Sequence, residues 1–184
     1  MKKIALLICG LVALLVSANA QTQTDSLGVY ALCGSSFEKI DVLNYQQTKV
    51  SSSIISGKAK LAFAGSTSSH HFKNTATFRL YFGVPSPYEA AKYYMFTSAY
   101  TAKDFGVGKF KVKKDMRYLT AATVSIIGHS SIGAEKDKDV KVETKKIRNN
   151  VYEITVTAPA GEYCIMPVIN GIGGYAGVFD FTIE

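Results

Sequence analysis

Hydrophobic and polar residues alternate with a period of two along most of the chain, and stretches with a helical period of 3.6 are scarce. In Thr77-Phe78-Arg79-Leu80-Tyr81-Phe82 the residues Phe78, Leu80 and Phe82 fall on one face. Lys109-Phe110-Lys111-Val112-Lys113 turns Phe110 and Val112 inward and three lysines outward. Tyr152, Ile154 and Val156 share a face, as do Phe179, Phe181 and Ile183. One-sided alternation of this kind predicts antiparallel strands with one wet and one dry face.

Turn residues punctuate these runs at the intervals of a sandwich or barrel. Asn149-Asn150 separates a strand ending near Ile147 from one starting at Val151, and asparagine tolerates the positive φ of a tight hairpin. Pro159-Ala160-Gly161 opens the next turn, and Asp115-Met116-Arg117 is placed to fold the lysine-rich strand back on residues 118–127. Residues 87–94 begin with Pro and contain two alanines, a helix-like start, but the aromatics that follow favour a strand. The expected fold is an all-β, antiparallel β-sandwich of jelly-roll or immunoglobulin-like type, with about nine or ten strands and little helix.

The first twenty residues stand apart. Lys2 and Lys3 precede an apolar run from Ile4 to Val16, and Ser17-Ala18-Asn19-Ala20 follows. That run is shorter than the roughly 20 residues a membrane-spanning helix needs. The order of basic, apolar and small residues predicts a secretory signal over residues 1–20 and a single domain over 21–184. Gln21 after the cleavage point offers no thiol for a lipid anchor. Loss of the leader would lower the net charge from +7 to +5. The expected location is therefore outside the cytoplasm: periplasmic, on the outer surface, or extracellular.

Beyond the leader stand two cysteines, Cys33 and Cys164. An oxidising compartment permits a disulfide between them, closing a loop of about 130 residues and contributing roughly 4 kcal/mol. Two separate buried thiols are the other reading, since a free cysteine packs as a small hydrophobe. No CxxC spacing suggests a metal site.

Several short motifs carry a resemblance. Ser56-Gly57-Lys58-Ala59-Lys60, Ala64-Gly65, Ser69 with Phe72, and the aromatic strand to Phe82 make one half. The basic segment 109–117, Pro159-Ala160-Gly161-Glu162-Tyr163 and Val178-Phe179-Asp180-Phe181 make the other. In this order they resemble a group of exported bacterial proteins of unknown function whose last strands carry a "PGEY…VFDFG"-like signature. Thr182 stands where that group often has Gly, and Ala160 where it often has Pro. The resemblance implies a compact β-domain and assigns no functional residue.

Candidate chemistry is sparse. His70, His71 and His129 are the three histidines, and adjacent strand residues face opposite ways, so His70 and His71 do not form a chelating pair on a strand. His129-Ser130-Ser131 lacks the orienting group and oxyanion hole that a nucleophile requires. A hydrolase or metalloprotein built on His70, His71 and His129 is therefore a lesser alternative. Glu162 and Asp180 read as solvated strand carboxylates rather than an acid–base pair. The glycine-rich stretch 171–177 has no helix behind it to make a phosphate cradle and reads as a hairpin loop. No metal and no cofactor is expected.

Charge is the remaining signal. Residues 103–117 hold six basic and two acidic side chains, which is most of the excess charge. Lys109, Lys111 and Lys113 would form a row spaced by about 7 Å, twice the strand rise. Such a row either meets an anionic partner or protects an edge strand from aggregation. Residues 135–148, with six basic and four acidic side chains, read as a wet face. Tyr88, Tyr93, Tyr94, Tyr100 and Phe105 lie close to the basic row in sequence. The leading expectation is a non-enzymatic binding or interaction module that uses Lys109, Lys111, Lys113, Arg117, Tyr93 and Tyr94. Its partner would be an anionic glycan, lipopolysaccharide or an envelope protein; nucleic acid is not expected. A structural subunit of an envelope assembly is the alternative.

Overall fold

The computed structural model describes residues 27–52, 56–82, 102–125, 130–132, 137–167 and 177–184. The proposed leader, Tyr88, Tyr93, Tyr94, Tyr100, His129 and most of the glycine-rich stretch lie outside these residues. The described part is all-β, with one short 3-10 turn at Ala102–Asp104, and no described helix is long and apolar enough to cross a membrane.

The described residues form three sheets. The first runs in the order β11 (Lys141–Arg148), β12 (Val151–Thr157), β6 (Thr75–Tyr81), β1 (Gly28–Cys33) and β2 (Ser36–Lys39). The second runs β10 (Ser130–Ile132), β9 (Met116–Ser125), β4 (Ser56–Ala64) and β3 (Gln47–Ser52), with β8 (Lys111–Lys113) also pairing with β9. The third runs β5 (His71–Phe72), β14 (Phe179–Ile183), β13 (Gly161–Pro167) and β7 (Phe105–Lys109). All pairings are antiparallel except β14 with β5, where Thr182 lies beside His71 and Ile183 beside Phe72 in parallel register.

The third sheet is the middle layer of the sandwich. Tyr163, Ile165, Phe179, Phe181 and Ile183 join Val29, Phe78, Leu80, Ile154 and Val156 of the first sheet in one core. The alternate residues Cys164, Met166 and Val178 join Leu61, Phe63, Leu119 and Ala121 of the second sheet in another. Period-two alternation therefore serves β13 and β14 on both faces, because each face meets a sheet. The phenylalanines anchor the first core: the Phe78 and Phe181 ring centroids lie 4.8 Å apart, and Phe72 meets Phe78 edge-on at 5.7 Å.

The turns follow their residues. Asn150 takes φ +62° in the two-residue hairpin between β11 and β12, as its side chain permits. The return of the lysine-rich segment occurs one residue earlier than its sequence suggests. Lys114 and Asp115 make the turn, Lys114 takes φ +55°, and Lys113 pairs with Met116. Gly177 has a steric reason: a Cβ there would stand 2.8 Å from the Leu43 carbonyl. That close approach lets Leu43 and Val178 exchange backbone hydrogen bonds of 2.8 and 2.9 Å.

The two cysteines are free thiols. Cys33 belongs to the first sheet and packs against the first core, whereas Cys164 faces the second core and has no exposed surface. Burial pushes the Cys164 thiol far above the usual range; for Cys33 partial burial and then the nearby Glu38 carboxylate raise it more modestly. The thiolate is the reacting form, so iodoacetamide should label Cys33 slowly and leave Cys164 intact in the native protein. Peptide mapping checks this, and both residues should label once the chain is denatured. Native labelling at Cys164 would contradict the buried placement.

Candidate functional site

The basic row of the sequence is broken by the fold. Lys109 ends β7 in the middle sheet, and Lys111 and Lys113 belong to β8 in the second sheet. Phe110 makes the crossing, donating its backbone N–H to the Glu162 carbonyl at 2.9 Å while its ring is buried against Phe63 at 5.3 Å. Val112, expected inside, is 48% exposed on the short strand β8, which pairs with β9 alone.

Arg117 points the other way altogether. It is buried, with its guanidinium 5.2 Å from the Phe110 ring. Its Nη1 donates to Asp180 Oδ2 at 2.7 Å and to Glu162 Oε2 at 3.2 Å, and Nη2 reaches the Ala64 carbonyl at 3.4 Å. Glu162 and Asp180, read from the sequence as solvated, are buried here. The reading failed because the outward face of β14 is covered by the second sheet. Glu162 Oε1 accepts from Thr67 Oγ1 at 2.9 Å and from Thr182 Oγ1 at 2.8 Å, and Oε2 accepts the Ser68 N–H at 2.9 Å. Ser68 Oγ closes the cluster by donating to the Asp180 carbonyl at 3.1 Å.

This cluster ties β9 to β13 and β14 and fixes the loop after β4. Buried charges persist where each is paired and hydrogen-bonded, and both carboxylates meet that condition. Among the described residues Arg117 Nε has no hydrogen-bond partner. Neither of the two surface grooves is lined by Glu162 or Asp180. The cluster is a clamp between layers.

The described histidines have separate partners. His71 Nδ1 lies 2.8 Å from Glu184 Oε1, and His70 Nδ1 lies 3.4 Å from Ser69 Oγ. Among the described residues no group of three His, Cys, Asp or Glu side chains is placed to hold a metal ion.

Where Arg117, Leu119 and Ala121 of β9 face the core, Tyr118 and Thr120 face outward. Residues paired across a sheet share a face, so the register places the rest of that surface. Lys111 pairs with Tyr118, Lys60 with Thr120, Lys49 with Lys60, and Ser51 with Lys58. Lys113 lies two residues beyond Lys111 and shares its side. Five lysines, Lys49, Lys58, Lys60, Lys111 and Lys113, thus occupy one outer face of β3, β4, β8 and β9. These four strands contain no acidic residue.

The face is grooved. Lys49, Val50, Ser51, Lys60, Lys111, Lys113, Tyr118 and Thr120 line an open groove of about 470 Å³. A second, of about 590 Å³, shares Lys111, Tyr118 and Thr120 with it and extends to Lys109, Asp137 and Lys138. Together they make one trough. Its one acid among the described residues, Asp137, is already engaged: Lys109 Nζ lies 3.2 Å away. The Asp139 backbone N–H, and then Lys109, hold the Asp137 carboxyl below its usual range, and Asp137 in turn raises Lys109. Both stay charged at neutral pH. Lys49 sits over the Tyr118 ring at 5.0 Å and reaches its hydroxyl at 3.4 Å. Among the described residues none of the five outer-face lysines forms an ion pair.

Of the residues expected to bind, the fold keeps Lys111, Lys113 and Lys109 along one trough, removes Arg117, and leaves Tyr93 and Tyr94 outside the described part. It adds Lys49, Lys58 and Lys60. A signal for these existed in the sequence, because residues 42–88 contain no acid at all. No protein-family model, curated protein or solved structure matches the chain, so the reading of this surface rests on its own geometry and charge.

Proposed function

We propose that the protein is an exported, non-enzymatic binding module of the cell envelope that holds an anionic ligand in the lysine trough. The observation that carries this reading is the acid-free outer face of β3, β4, β8 and β9 with its five lysines. Like charges gathered on one face repel one another and gain nothing within the fold, so an opposite charge from outside is what such a face accommodates. Edge protection, the other explanation for the lysine row, accounts for β3 and β8 at the margins of the sheet. It does not account for Lys58 and Lys60 on β4, an inner strand.

Export rests on the leader-like residues 1–20, and the envelope on the resemblance to exported bacterial proteins. A purely structural role in an envelope assembly is the second reading; it predicts no dependence on the trough.

Retention on immobilised heparin at low salt tests the proposal. Near an anionic surface each lysine contributes roughly 1 kcal/mol. Changing Lys49, Lys60, Lys111 and Lys113 together to alanine should therefore weaken binding on the order of a hundredfold or more. These side chains lie outside both cores, so the denaturation midpoint should hold. Equal retention of the variant and the parent would overturn the reading.

A further inference from the structure

We infer that the ligand of the trough is a linear acidic polysaccharide, a chain of sugars bearing carboxylate or sulfate groups. This rests on the reading of the trough as an anion site and narrows it.

The charges do not converge on a point. Lys113, Lys111, Lys60 and Lys58 stand beside Met116, Tyr118, Thr120 and Thr123 in register, so their backbones are spread along β9 over roughly 20 Å. A lone phosphate would meet two or three of these lysines and leave the rest bare, whereas an extended chain meets them all. The trough is open to solvent and runs from Lys49 and Val50 past Tyr118 to Asp137 and Lys138. Its cations are all lysines, because Arg117 is turned into the core. Lysine is a compact point charge that reads charge density. It lacks the planar fork with which arginine grips phosphate in two places.

The lining is mixed, with hydroxyls and apolar side chains among the lysines. Ser51, Tyr118 and Thr120 line the trough beside the lysines, together with Val50, Phe110 and Leu119. Hydroxyls and apolar side chains among ammonium groups match a sugar chain, whose rings present C–H faces between hydroxyls and anionic substituents. A single-stranded nucleic acid would instead need free aromatic faces on which to stack bases. Tyr118 is the one aromatic side chain on the outward side of these four strands, and Lys49 already covers a face of its ring.

The test compares four probes on the full chain at one low salt concentration: heparin, polygalacturonate, oligothymidylate and phosphatidylglycerol vesicles. Two variants accompany it. One is the four-lysine alanine variant; the other, Ser51→Ala with Tyr118→Phe and Thr120→Val, removes three hydroxyls and keeps every lysine. Both polysaccharides should bind more tightly than oligothymidylate or the vesicles. The hydroxyl variant should lose on the order of tenfold toward the polysaccharides and little toward oligothymidylate, as expected for a few lost hydrogen bonds. Tighter binding of oligothymidylate or vesicles, or an unchanged hydroxyl variant, would overturn the polysaccharide while leaving the anion site in place. If the four-lysine variant binds every probe as the parent does, the anion site falls as well.

Discussion

Replacing Arg117 with methionine should destabilise the protein by about 3–5 kcal/mol, the range for removing one partner from a buried ionic group. Arg117 is 2% exposed, and its guanidinium bonds to both Asp180 and Glu162, which would be left side by side between two sheets without a cation. Methionine fills a similar volume and retains the contact with Phe110, so the loss reports the charges rather than a cavity. Had Arg117 been a surface ligand residue, as its place in the basic segment suggests, the same change would cost less than about 1 kcal/mol. Urea denaturation of the two proteins separates these outcomes. A midpoint within experimental error of the parent would remove the clamp from the account.

The second large effect is expected one residue beyond Asp180. Phe181→Ala should cost about 3–5 kcal/mol, the range for truncating a buried phenylalanine. The ring has no exposed surface and is surrounded by Phe72, Phe78 and Tyr163, at centroid distances of 6.4, 4.8 and 5.8 Å. Little in that aromatic cluster can relax into the gap, since Tyr163 is held by a 2.7 Å hydrogen bond from its hydroxyl to the Pro159 carbonyl. The paired results at Arg117 and Phe181 would show that β14 is covered on both faces. If Phe181→Ala were costly and Arg117→Met neutral, β14 would be an outer strand and the second sheet would not lie against it.

The strands themselves were legible in the residues. The alternation that marks Phe78, Leu80, Ile154, Val156, Phe179, Phe181 and Ile183 as inward is the alternation found in the first core. What period two cannot reveal is whether the other face is wet. Asp180 and Thr182 occupy the polar positions of β14, and polarity reads as exposure until a cation is known to sit opposite. Arg117 supplies that cation from sixty-three residues away in the chain. No local pattern announces a pairing over such a distance.

The lysine row failed for a different reason. Lys109-Phe110-Lys111-Val112-Lys113 alternates as one strand would, yet the chain passes from the middle sheet to the second at Phe110. Alternation is preserved through such a crossing, so the sequence carries no mark of it. The trough nevertheless gathers these lysines with Lys49 and Lys60, contributed by a hairpin that precedes them by some fifty residues. Charge composition pointed to a basic surface, and only the strand register says which lysines share it.

Mapping by NMR tests the central claim most directly: amide and lysine side-chain shifts of the labelled protein followed during titration with a heparin-derived hexasaccharide. The account predicts that the changes concentrate on Lys49, Lys60, Lys111, Lys113, Tyr118 and Thr120. The exposed edge strand β11 carries Lys141, Lys145, Lys146 and Arg148 alongside Glu143, and it should stay nearly silent. Shifts gathered on β11 with the trough unmoved would contradict it.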